Sequence, residues 1–189
     1  MQLPGARPIV VGQIAGMGVH EHKKAAPRTV ACAVVTISDT RTVDDDTSGA
    51  HIRAALGDAG HRVTSSEIIR DDAAGIVACA RRLAAADSVE AVIMSGGTGV
   101  SPRDNTYEAL TGLLTRRIDG FGELFRHLSF EEIGAAAMLS RAVAGVLDGT
   151  VFFALPGSTA ACRLALERLI LPELGHVVHI ARPSEDGGT

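Results

Sequence analysis

The chain has 189 residues, 46% of them hydrophobic and 21% charged, with a formal net charge of -4. That length fits one compact domain that buries roughly 70% of the surface its unfolded form exposes, so a core needs neither disulfides nor a structural metal. With five phenylalanines, one tyrosine, no tryptophan and no basic block, the chain lacks the stacking platforms and electrostatic footprint of a nucleic-acid binder.

Lys23 and Lys24 are the only lysines, so the body of the chain can supply neither a Walker A lysine nor a Schiff-base lysine. Cys32, Cys79 and Cys162 lie far apart in apolar stretches without a C-x-x-C pair and read as small core residues of a reducing compartment. The apolar run 9–19 is short and broken by Gly12, Gln13, Gly16 and Gly18. No stretch approaches the roughly 20 apolar residues of a membrane span. A cytoplasmic protein without a membrane partner is expected.

Residues 1–28 show no sustained period and read as an N-terminal extension, 29–181 as the folded domain and 182–189 as a C-terminal tail. Val30, Cys32, Val34, Val35 and Ile37 form the near-continuous apolar run of a strand buried on both faces. A polar loop, 39–46, leads to a predicted helix over 47–59 that Gly60 stops. The next strand, 62–69, is less apolar and belongs near a sheet edge. Asp71 and Asp72 can cap a helix in which Ile76, Ala80, Leu83 and Ala84 recur at helical spacing, and a third strand covers 89–94. This alternation predicts a doubly wound, mostly parallel α/β sheet with helices on both faces.

A glycine-rich turn follows, Ser95-Gly96-Gly97-Thr98-Gly99, then Ser101-Pro102-Arg103-Asp104. Asn105, with Glu108 three residues on, has the spacing of a capping box. Phe121, Leu124, Phe125 and Leu128 set one helical face, and a second helical stretch is expected over 130–139. Strands 142–147 and 150–155 flank Asp148-Gly149, a strong hairpin signal. The last strand ends in Pro156-Gly157-Ser158, with Ser158 capping a helix 159–170 and Pro172 opening a further turn or helix.

Glycines let a backbone approach a phosphate closely, and a following helix adds unpaired amides and a positive dipole end. Gly96 to Gly99 could equally form a tight turn, and the Rossmann fingerprint is absent because Pro102 stands where its third glycine belongs. Parallel strands deliver their carboxyl ends to one edge, where ligands bind; here Asp39, Asp71 and Asp104 follow those ends. Carboxylates beside a phosphate cradle repel the ligand unless a divalent cation lies between, and Mg²⁺ takes one or two carboxylates plus phosphate oxygens. A Mg-nucleotide site is implied, although Asp39 as a turn residue and Asp71 as a helix cap remain open.

Arg103 and Arg141 offer planar forks to an anion, with Arg103 favoured by its place beside the glycine loop. The scattered histidines, His176 and His179 among them, lack a zinc ligand set, and no G-x-S-x-G elbow occurs. Asp44, Asp45 and Asp46 read as a solvated turn ending in a helix cap, with Asp46 close to the same edge.

Taken in order, Thr36-Ile37-Ser38-Asp39, Asp46-Thr47-Ser48-Gly49, the glycine loop with Pro102-Arg103-Asp104, Gly120-Phe121-Gly122-Glu123, Ser140-Arg141 and Leu155-Pro156-Gly157-Ser158 resemble the MogA/MoaB family of molybdenum cofactor biosynthesis. The resemblance covers about 29–180. It implies the molybdopterin-binding α/β fold, trimers or hexamers, and Mg-ATP-dependent adenylylation of molybdopterin with release of pyrophosphate. The activated pterin then receives molybdate, which makes a molybdate-inserting enzyme a downstream partner. It also implies two essential aspartates, matching Asp71 and Asp104, which on the sheet-edge argument are expected to hold or orient Mg²⁺. Substrate contacts are expected from Ser38, Asp39, Ser95, Gly96, Gly97, Thr98, Gly99, Arg103, Pro156, Gly157 and Ser158. The other reading of such a chain is a non-catalytic molybdopterin binder or scaffold. Oligomerisation accords with a mean hydropathy of +0.21.

Overall fold

A computed structural model describes Pro27 and residues 29–182. Apart from Pro27, the expected N-terminal extension lies outside the described residues, as does the tail beyond Arg182.

Six strands form one sheet: β1 (Ala31–Ile37), β2 (Arg62–Ile69), β3 (Ala91–Ser95), β4 (Arg116–Arg117), β5 (Val143–Leu147) and β6 (Thr150–Leu155), in the order β2-β1-β3-β6-β5-β4. β2, β1, β3 and β6 run parallel, while β5 lies antiparallel to both β6 and β4. The apolar run of β1 is buried throughout. Cys32 and Val34 join one core cluster, and Ala33, Val35 and Ile37 join the other on the opposite face. β2 is the edge strand that its lower apolar content foretold.

Between β1 and β2, α1 (Thr47–Asp58) packs Ile52 and Leu56 on the face of Val34. Between β2 and β3, α2 (Ala73–Ala84) packs Ile76 and Leu83 on the face of Val35. The chain thus leaves β1 toward one side of the sheet and returns across it to β3. That reversal is a topological switch point, and its crevice opens outside the carboxyl ends of β1 and β3. The doubly wound expectation holds.

After β3 come α3 (Thr106–Thr111), α4 (Asp119–Ile133), a 3₁₀ segment (Gly134–Leu139), α5 (Thr159–Ala165) and α6 (Leu171–Ala181). Three expectations are corrected, and one strand is added. α4 continues through Phe130 as one helix, and Gly134, at φ 63°, turns the chain into the 3₁₀ segment instead of a second α-helix. Leu124 is 54% exposed, so the inward face of α4 rests on Phe121 and Phe125, with Leu128 packed against the same cluster. The helix opened by Ser158 does not stop before Pro172; a π-helical turn, Leu166–Ile170, carries it into α6. Pro172 has no N–H and its ring would crowd the carbonyl of Arg168, and a widened turn accommodates both. The two-residue β4 was not anticipated, because a charged Arg-Arg pair carries no apolar period.

The hairpin turn is as expected, with Asp148 at φ 50° and Gly149 at φ 86°. The three thiols are buried, and burial raises them, Cys32 and Cys162 to about 12 and Cys79 to about 11. They are unreactive core residues, as read from their surroundings.

Candidate functional site

Four loops meet at the carboxyl edge, and backbone bonds lock them together. Ser38 N donates to Ile69 O at 2.9 Å, and Gly96 N to Leu155 O at 3.0 Å. Gly96 has φ 110°, and a Cβ there would lie 2.2 Å from Ile37 O, with Gly157 closing the other side. Only glycine lets the three chain segments approach this closely.

The amides of Gly97, Thr98 and Gly99 find no acceptor among the described residues. Free amides in succession are the nest expected of an anion cradle. The anticipated help of a helix dipole is absent: α3 has only six residues and starts well past the glycines. Thr98 O is held from behind by the backbone N and Nε of Arg141, both at 3.3 Å. Arg141 also pairs with Glu108 and lies over the Tyr107 ring, 4.9 Å from its centroid. It braces the loop and holds the Glu108 carboxyl below its usual range.

The adjacent aspartates divide the roles left open above. Asp72 caps α2, accepting from Ala74 N at 3.2 Å and Gly75 N at 2.9 Å. Asp71 caps nothing; its Oδ1 accepts from Asn105 N at 3.0 Å. Asn105 makes no cap either, a correction to the capping-box reading. Its Nδ2 donates to Asp71 O at 3.0 Å and Arg103 O at 2.9 Å, stitching the second loop to the third. Asp104 Oδ2 accepts from Ser101 N at 2.8 Å. Among the described residues, Asp71 Oδ2 and Asp104 Oδ1 have no donor.

Asp39 is more committed. Its carboxylate pairs with Arg103 at 3.2 Å and Arg70 at 3.6 Å and accepts from Asp71 N at 3.3 Å. The Arg103 hydrogen bond is the main reason its carboxyl lies below the usual range. The turn reading is met, with Asp44 and Asp45 exposed and Asp46 capping α1, but Asp46 is itself buried at 3% exposure and joins β1 to α1. It accepts from Thr36 Oγ1 at 2.7 Å and Gly49 N at 2.9 Å.

Two clefts flank the glycine loop. One, of about 380 Å³, has apolar walls including Phe125, Ile133 and Leu139, with Gly157 and Ser158 at its rim. The other, of about 300 Å³, is lined by Ser38, Asp39, Asp71 and Arg103. Gly97 and Asp104 line both. Of the expected site residues only Ser95 is kept out of both clefts, its side chain 1% exposed beneath the loop. The sequence reading missed Asn105, whose side chain acts across the fold, and Phe125 and Ile133, whose helical spacing reads as ordinary core.

No group of three or more His, Cys, Asp or Glu among the described residues could hold a metal by itself. Asp71 and Asp104 nonetheless fit a hard divalent cation shared with a ligand. Each is fixed by a main-chain amide through one oxygen and retains the other, and Mg²⁺ commonly takes two carboxylates with substrate phosphates.

The sequence and fold have close counterparts. Residues 33–176 match the family described as "Probable molybdopterin binding domain". The chain belongs to that family. It is 51% identical over 163 residues to molybdenum cofactor biosynthesis protein B of Halalkalibacterium halodurans, covering 86% of this chain and 96% of the relative. It is 45% identical over 167 residues to protein B of Bacillus subtilis, covering 88% and 98%. A crystal structure of a molybdenum cofactor biosynthesis protein B superposes with TM-score 0.80 at 48% identity over 82% of this chain and 98% of that one. The tungsten cofactor synthesizing protein MoaB of Pyrococcus furiosus gives 0.75 at 34% identity, covering 84% and 100%. The chain is a molybdenum cofactor biosynthesis protein of the MogA/MoaB fold, and no helix among its described residues is long and apolar enough to cross a membrane.

Proposed function

We propose that this member of the family adenylylates molybdopterin, with Mg-ATP as donor and the terminal phosphate of molybdopterin as the attacking group. The reading rests on one observation: the two clefts differ in chemistry and share a wall at Gly97 and Asp104. Transfer between two bound substrates demands adjacent sites with a common boundary, because most of the acceleration comes from aligning the reacting groups and meeting developing charge. A flat fused ring suits the apolar cleft. A triphosphate suits the polar one, where Arg103 and the free amide of Gly97 supply positive charge.

Asp71 and Asp104 would hold Mg²⁺, which when bound neutralises phosphate charge and fixes the triphosphate. The amide of Gly97 binds and orients phosphate oxygens at the shared wall, and those of Thr98 and Gly99 do so on the pterin side of it. Ser158 and Gly157 line the pterin side, and Arg103 exchanges its exposed pairing with Asp39 for the triphosphate. No protein nucleophile is needed, and the raised thiols offer none. In line with the family resemblance, the working form is a homotrimer or homohexamer, and its product passes to a molybdate-inserting enzyme.

The test is pyrophosphate release from purified protein given molybdopterin and Mg-ATP. Turnover that falls away in a folded Asp104→Ala variant supports the reading. Tight molybdopterin binding without pyrophosphate release replaces it with a carrier or scaffold role.

A further inference from the structure

Thr106 opens α3 and is fully buried, with its amide donating to Gly97 O at 2.9 Å. Its Oγ1 has no hydrogen-bond partner among the described residues. Buried hydroxyls are nearly always paired, so an orphan requires an explanation. The explanation lies beside Gly97. A Cβ on Gly97 would stand 2.3 Å from Thr106 Oγ1 and 2.6 Å from Asp71 Oδ2, so the two oxygens crowd one point that is open only because the residue there is glycine. Their needs are complementary: the hydroxyl has a proton without an acceptor, and the carboxylate oxygen has lone pairs without a donor. The other oxygen of Asp71 is fixed by the amide of Asn105, the residue just before Thr106.

We infer that Thr106 is a positioning residue for Asp71: the two oxygens stand near one point but are unbonded here, and when Asp71 takes up a divalent cation with a triphosphate its Oδ2 accepts from the Thr106 hydroxyl, which fixes the orientation of that carboxylate. The inference deepens the function proposed above and rests on its assignment of Asp71 to the cation. Thr106 touches neither substrate and acts through Asp71 alone.

The experiment titrates the full chain into preformed Mn²⁺–ATP and follows the enhancement of water proton relaxation that marks the protein-bound complex, alongside thermal unfolding. Thr106→Val removes the hydroxyl at constant shape and, with no hydrogen bond to lose, leaves the melting temperature unchanged or higher. Affinity for Mn²⁺ with ATP falls about tenfold, the worth of one good hydrogen bond. Thr106→Ala gives the same loss without the added methyl group, and Thr106→Ser restores most of the affinity. A Thr106→Val affinity equal to that of the unsubstituted protein overturns the inference. So does a drop in melting temperature that Thr106→Ser fails to reverse, or an unsubstituted protein that binds no Mn²⁺ with ATP. If affinity follows the hydroxyl but no pyrophosphate is released with molybdopterin, adenylylation falls and the role of Thr106 stands.

Discussion

The two ends of the parallel sheet use carboxylates in opposite ways. At the amino edge, Glu90 is saturated: Oε2 accepts from Ala31 N at 2.7 Å, Oε1 pairs with Arg182, its amide donates to Ala31 O at 2.8 Å and its carbonyl accepts from Val151 N at 3.0 Å. One residue thereby ties β1, β3, β6 and the end of α6. At the carboxyl edge, Asp71 and Asp104 each accept one main-chain amide and keep an oxygen in reserve. A saturated carboxylate stabilises the fold; a half-satisfied one is held in place yet retains capacity for a ligand.

The sharpest way to break this contrast is to remove charge at the carboxyl edge without removing the acceptor. Asp71→Asn and Asp104→Asn still accept from Asn105 N and Ser101 N, so thermal unfolding should change little. Pyrophosphate release should fall on the order of 100- to 1,000-fold, as when a preorganised electrostatic partner of the transition state is lost. Equal loss of stability and turnover would make these aspartates structural like Glu90.

Next in size is Gly96→Ala, which combines φ 110° with a contact 2.2 Å from Ile37 O. Strain and overpacking together cost roughly 2–4 kcal/mol, read as a lower denaturation midpoint, and the displaced loop should lose turnover as well. Glu90→Ala should show the converse pattern. Leaving the Ala31 amide and Arg182 without their acceptor costs about 1–3 kcal/mol in urea unfolding, while the rate per folded molecule stays at the level of the unsubstituted protein.

The same two edges explain what was legible in the sequence. β1 and β3, and with them the crevice, announce themselves because strands buried on both faces need unbroken apolar runs, and the hairpin because Asp148 and Gly149 tolerate positive φ. Asp71 and Asp104 were located by their place after strands, a consequence of parallel topology. What stayed hidden depends on contacts distant in sequence. Asn105 has the local signature of a cap and spends its side chain on Asp71, 34 residues away. Arg141 carries no local sign that it braces Thr98, 43 residues distant. The bare wall of the apolar cleft was hidden for another reason: Phe125 and Ile133 repeat at helical spacing whether they meet core or a ligand.

The smallest expected effect concerns Asp39, which resembles Glu90 in its arginine partners but lies at the opposite, open edge. Arg103 holds its carboxyl below the ordinary value of 3.8. A carboxyl lowered by folding adds stability that is complete above the unfolded value and vanishes as pH falls through the lowered folded one. Asp39→Asn should therefore be slightly less stable than the unsubstituted protein near neutrality, with the difference closing below pH 3.8. The Arg103 and Arg70 side chains are 78% and 86% exposed, so salt should also shrink the difference. Glu90, anchored to a main-chain amide as well as to Arg182, should keep most of its contribution in the same salt series. A salt response as steep for Glu90→Ala as for Asp39→Asn would show that charge alone, and not the amide beneath it, distinguishes the two edges.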